Sequence, residues 1–147
     1  MKVTPDSNIL ARANLRSQGP ARKLILRLAS QPGSLILSQY ILEEVGRILF
    51  YPRLVKRFQL SPSEIAGHVQ SLAAVSVLVE PAPVPEDLLR DPKDAAILGT
   101  AIAGNAGVLC TMDRHLFDDR VLALARDHGI RIMNDVELLA LLDSNKR

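Results

Sequence analysis

Four carboxylates in this 147-residue chain occupy positions where an acid could do chemistry instead of simply facing water. Asp6 follows a short apolar approach and precedes Ile9, Leu10 and Ala13 at helical spacing, so it stands where a first strand hands over to a first helix. Asp113 follows the apolar run Val108 to Thr111 and has the same setting. Asp94 lies in line with Ile97, Leu98 and Ala101, the face that should pack on a sheet, behind the helix-opening pair Asp91 and Pro92. Glu44 lies on the flank of the Ile41, Val45, Ile48 stripe, whereas Glu43 points nearly opposite it, into solvent. Helix capping alone would account for an acid at positions 6, 94 or 113, since free amides and the helix dipole stabilise it there.

Brought to one edge of a sheet, the four acids would repel one another strongly unless a divalent cation neutralised them. Hard oxygen ligands without a His or Cys cluster suit Mg²⁺ or Mn²⁺ better than zinc. Such a pocket can activate water and stabilise the charge developing on a scissile phosphate. The three histidines at 68, 115 and 128 are scattered, and only His115 is close in sequence to one of the acids. Basic residues gather at Arg12, Arg16, Arg22, Lys23 and Arg27, and again at Arg47, Arg53, Lys56 and Arg57. Solvated helix faces explain them; a rim that carries a phosphate backbone is the functional alternative, with Arg12, Arg16, Arg47 and Arg53 its nearest members.

Positioning these acids requires strands that alternate with helices. Short apolar runs at Ser34 to Leu37, Val75 to Val79, Val108 to Thr111 and Ile130 to Met133 follow the opening strand. Helical stripes are predicted from Ala21 to Ala29, Ser38 to Phe50, Pro62 to Val75, Pro92 to Ala103 and Arg120 to Asp127, with a short helix at Arg53 to Phe58. Ser61 with Glu64 and Asn134 with Glu137 read as capping boxes, the second opening a final helix to about Leu142. Prolines at 81, 83 and 85 make a stiff, extended link. The expectation is an α/β chain with a parallel sheet covered on both faces, in three α/β/α layers, forming one domain over residues 1–143 with a polar tail at 144–147.

Composition sets the outer limits. Hydrophobic residues at 48% and charged residues at 23% are a globular balance. Aromatics at 3% leave few platforms for stacking bases, and a net charge of +2 tolerates a polyanion without announcing one. Cys110 stands alone, which excludes an internal disulfide or thiolate cluster and fits a reducing compartment. Without an apolar h-region or a membrane-length run, the chain is expected in the cytoplasm. No GxGxxG or GxxxxGK[ST] segment is present, so dinucleotide and phosphate-loop enzymes lack support.

From about Lys2 to Leu142 the chain resembles the PIN-domain family, most closely the VapC-like ribonuclease toxins of bacterial toxin–antitoxin systems. VTPDSNIL resembles the opening strand with its D-[TS]-N motif, which puts Asp6 in the first acidic position with Ser7 and Asn8 in support. SQYILEEVGRIL with YPRL resembles the second block and assigns its acid to Glu44. RDPKDAAILGTAIAGNAGVLCTMDRHLF resembles the third and fourth, with Asp94 and its companion Asp91, then Asp113 in a T-x-D position beside Thr111. The closing GIRIMNDVELLALL is similar to the last strand and helix. The resemblance implies four or five parallel strands, Mg²⁺ or Mn²⁺ held by Asp6, Glu44, Asp94 and Asp113, RNase activity, a protein antitoxin and a homodimer.

Two residues depart from the pattern. Pro5 replaces an apolar residue and removes a backbone donor from a strand expected at the sheet's centre. His115 stands where relatives often carry another acid. Both make a catalytically inactive, PIN-like nucleic-acid or protein-binding module the alternative to a nuclease. If instead all four acids were helix caps in an unrelated α/β domain, they would lie far apart.

Overall fold

Caps and prolines divide the chain into segments that match the helical stripes closely. The computed structural model describes residues 1–145. β1 (Val3–Pro5) leads into α1 (Ser7–Arg12) and α2 (Pro20–Ala29); β2 (Leu35–Leu37) leads into α3 (Gln39–Leu49), α4 (Pro52–Phe58) and α5 (Pro62–Val75). β3 (Ser76–Leu78) is followed by α6 (Pro92–Ala103), β4 (Val108–Cys110), a 3₁₀ turn (Arg114–Phe117), α7 (Asp119–Asp127), β5 (Arg131–Met133) and α8 (Asp135–Ser144). Both expected capping boxes form, at Ser61 with Glu64 and at Asn134 with Glu137. Asp91 caps α6, whose first residue is Pro92.

All five strands are parallel, in the order β3-β2-β1-β4-β5. From β1 the chain steps outward to β2 and β3, then returns to the other side of β1 for β4 and β5. Right-handed crossovers therefore put α1 to α5 on one face and α6 and α7 on the other. The contacts agree, since α6 lies on β1, β2 and β4, while α8 crosses back to pack on α2. The result is a three-layer α/β/α sandwich with an aliphatic core that includes Ile9, Leu24, Leu37, Ile41, Leu98 and Leu109. As an edge strand, β3 leaves Val77 and Leu78 exposed, which its apolar composition alone did not reveal.

Pro5 is accommodated at the sheet's centre by its neighbour. Val3 N–H donates to Ser34 O across the β1–β2 ladder at 2.7 Å, and in this register residue 5 would supply the next donor, to Ile36 O. Proline has none. The Thr4 hydroxyl donates to Ile36 O instead, at 2.9 Å in a buried setting. On the opposite edge Pro5 stays in register with Cys110, and the Asp6 N–H donates to Cys110 O at 2.9 Å, so the backbone does not swing away at the first acid.

The proline-spaced link after β3 lies directly on α6. Ala82 N–H donates to Gly99 O at 2.9 Å, and a Cβ on Gly99 would overlap the Ala82 carbonyl oxygen. The last helix runs past the expected end at Leu142, because Arg27 on α2 pairs with Asp143 and donates to Leu142 O at 2.7 Å. Ser144 and Asn145 are thus helix end and C-cap where a polar tail was expected; 146 and 147 lie outside the described residues.

Candidate metal centre

The chain's reversal of direction around β1 creates a crevice at the carboxyl ends of β1 and β4, the place where open parallel sheets bind ligands. Asp6 leaves the end of β1 and Asp113 follows β4, so the two flank this crevice. α6 runs back toward the start of β4, which leaves its first turn, and Asp94 in it, at the same edge.

Asp94, Asp113 and His115 offer ligand atoms that all lie within 4.8 Å of one another. Asp94 is 2% exposed, and its Oδ1 is buried without any hydrogen-bond partner. Burial, the facing Asp113 carboxylate, a hydrogen bond shared with Asp113 and the charge of Asp91 push the Asp94 carboxyl up to about 7, against the pull of Lys93. Asp113 caps the 3₁₀ turn by accepting from the His115 N–H at 2.9 Å, and its Oδ1 lies 3.2 Å from His115 Nδ1.

Asp6 joins the group through Thr111. Its Oδ1 accepts from the Ile9 N–H at 2.8 Å, capping α1, and its other oxygen accepts from the Thr111 hydroxyl. The same hydroxyl oxygen accepts from the Asp113 N–H at 3.0 Å, so one side chain holds both strand-end acids in place. Burial raises the Asp6 carboxyl above its ordinary value, opposed by Thr111, the Ile9 amide, Lys93 and Arg12.

Glu44 is buried on α3 as its helical face predicts, yet its carboxylate is paired with Arg47, at 2.6 Å from Nη2 and 3.1 Å from Nε. It is outside the cluster formed by Asp94, Asp113 and His115. Ser7 is fully buried, and its Oγ is the other buried side-chain atom without a partner among the described residues. Asp91 accepts from the Lys93 N–H at 2.9 Å and contributes its charge to Asp94. Arg16 is held by Glu64 at 3.1 Å.

Two open cavities meet the acids. One, of about 550 Å³, has Asp6 and Asp113 in its wall and is otherwise lined by Asn8, Arg12, Ile48, Arg53, Leu54, Arg57 and Met112. The other, of about 450 Å³, includes Asp91, Asp94 and His115 together with Arg90 and Arg114. Arg12 and Arg53 thus stand beside the acids as a basic rim requires, while Arg16, Arg47 and Glu44 line neither cavity. Sequence reasoning marked His115 as the one histidine close to a candidate acid, and the structure sets it beside Asp113 and Asp94. Asp135, a buried acid that opens α8 just beyond β5, is not distinguished in the sequence from any first-turn acid behind the N-cap Asn134.

A divalent cation fits this donor set. A buried oxygen with no donor, next to a second carboxylate, lacks the positive charge that would justify its burial, and hard oxygens favour a cation such as Mg²⁺ or Mn²⁺. No curated protein matches the chain. The family model described as PIN domain matches residues 2–115, a span that holds β1 to β4 and the acids Asp6, Glu44, Asp91, Asp94 and Asp113, and on that match the chain belongs to the PIN-domain family.

Proposed function

We propose that this protein is a metal-dependent endoribonuclease in which Asp6, Glu44, Asp94 and Asp113 serve Mg²⁺ or Mn²⁺, directly or through water. PIN domains are metal-dependent nucleases as a class. The observation that carries the reading for this chain is the unpartnered, buried Oδ1 of Asp94 beside Asp113. A bound divalent ion supplies Lewis-acid polarisation of the scissile phosphate and a water acidic enough to attack it.

The chain's own residues do the rest. Thr111 fixes Asp6 and the backbone at Asp113, and the Asp91 cap fixes the first turn that carries Asp94. Arg12, Arg53 and Arg57 give the larger cavity a cationic wall for the phosphates that flank the cleaved bond, with Asn8 beside them. Arg47 holds Glu44 through Oε2 alone, and an arginine released from it can take up a substrate phosphate.

The resemblance to VapC-like toxins supports a place as the toxin component of a toxin–antitoxin system, with RNA as substrate and a protein antitoxin as partner. A homodimer is in keeping with the exposed apolar side chains Leu15, Leu26, Val75, Val77 and Leu78. A cytoplasmic setting agrees with the lone, buried Cys110. No helix among the described residues is long and apolar enough to cross a membrane.

Purified protein should cleave unstructured RNA with Mg²⁺ or Mn²⁺, and Asp94→Asn should lower the rate by about a hundredfold or more. Equal cleavage by that variant would sink the assignment. The compensation of Glu44 by Arg47, which needs no metal, favours a second reading as a catalytically inactive nucleic-acid or protein-binding module. Calorimetry with RNA bound and no heat from Mn²⁺ would select it.

A further inference from the structure

We propose that His115 is a direct ligand of the ion held by Asp94 and Asp113, which makes this a mixed nitrogen and oxygen site that prefers Mn²⁺ to Mg²⁺. The inference rests on the reading that these acids bind a divalent cation. Its basis is the local backbone. Asp113 caps the turn Arg114–Phe117, and the capping bond to the His115 N–H folds residue 115 back over residue 113. The imidazole arrives with Nδ1 3.2 Å from Asp113 Oδ1, and both groups are within 4.8 Å of the Asp94 carboxylate. Neighbouring ligands of an octahedral ion with bonds of about 2.1 Å lie about 3 Å apart, so the imidazole and the Asp113 carboxylate already have the spacing of a shared coordination sphere.

Asp94 supplies the second observation: its Oδ1 is buried without a hydrogen-bond partner, and its carboxylate lies within 4.8 Å of the same pair. An ordinary surface pair between His115 and Asp113 would leave that oxygen unexplained. A cation between the three groups would satisfy it. The His115 side chain is 81% exposed and lines the cavity that reaches Asp94, so a ligand role asks for no rearrangement of the core. Mg²⁺ strongly prefers oxygen donors, whereas affinity for nitrogen rises along the first transition series from Mn²⁺ onward. One imidazole among the oxygen donors therefore moves the site's preference toward Mn²⁺.

The test uses the metal alone. Mn²⁺ bound to the full chain should show, in pulsed electron paramagnetic resonance, a nitrogen hyperfine coupling typical of a coordinated imidazole, and His115→Gln should abolish it. In calorimetry the same variant should weaken Mn²⁺ about tenfold and Mg²⁺ by less than about threefold, and His115→Asp should bring the two affinities closer together. Mn²⁺ binding that Asp94→Asn abolishes, with no nitrogen coupling in the wild type, would overturn the role of His115 and leave the acidic site standing. No Mn²⁺ binding to the wild type would overturn both. A nitrogen coupling that survives His115→Gln would assign the ligand to another residue and refute the proposal.

Discussion

At the scale of single residues, Asp94 is the group whose environment is least comfortable without a cation. Its carboxyl is pushed up to about 7 in the folded chain, from 3.8 when unperturbed. Between those values the folded state holds a proton that the unfolded state has lost. In metal-free protein the Asp94 contribution to stability is therefore complete below about pH 4 and is lost as pH rises through about 7. Asp94→Asn, which cannot ionise, should be more stable than the wild type at pH 8 by on the order of 1 kcal/mol, and this advantage should vanish near pH 4. Urea melts at the two pH values measure it, and saturating Mn²⁺ should reverse the order at pH 8. Spacing alone was enough to put Asp94 on the sheet-facing side of its helix, and Glu44 on the buried flank of its own. It gave no warning that Arg47, three residues along α3, would claim Glu44, and it marked His115 as close to an acid without showing that the backbone after Asp113 would turn it toward Asp94. Such pairings depend on rotamers and on turns, not on periodicity.

Among elements, α6 does most to bring Asp94 to the crevice, and the link before it holds the helix in place. Proline spacing made that link stiff in prospect, but nothing local said that it would lie against Gly99. With the Ala82 backbone in contact there, Gly99→Ala must push the link or the helix aside. It should destabilise the fold by about 1–3 kcal/mol despite alanine's better helix propensity, seen as a lower Tm in a thermal melt. Helix starts were legible throughout, at Ser38, Ser61, Asp91 and Asn134, since a cap and its amide lie within three residues of each other. The exposure of β3 was not, because an apolar run reads alike at the edge and in the middle of a sheet.

For the molecule as a whole, the family match ends at residue 115, yet the fold does not. Leu116, Val121, Ala125, Ile130 and Leu138 are buried, β5 covers the outer side of β4, and Met133 O accepts from the Thr111 N–H at 2.9 Å. The last fifth of the chain thus steadies the residue that holds Asp6. A chain cut after Asp118 should give no cooperative melt by circular dichroism, although it keeps Asp6, Glu44, Asp94 and Asp113. Parallel strands and alternating helices could be read from the residues, but the strand order could not, because it is decided by pairings between segments far apart in sequence.

The bond from Thr4 to Ile36 also bears on how this sequence can change over time. While proline occupies position 5, loss of the hydroxyl at position 4 strands a buried carbonyl at the centre of the sheet, at a cost of about 1–3 kcal/mol that serine alone avoids. Once position 5 regains an N–H, the hydroxyl becomes dispensable and position 4 is free to vary. Drift through this pair is cheapest in one order: proline goes first, and a chain that keeps it favours a hydroxyl at position 4.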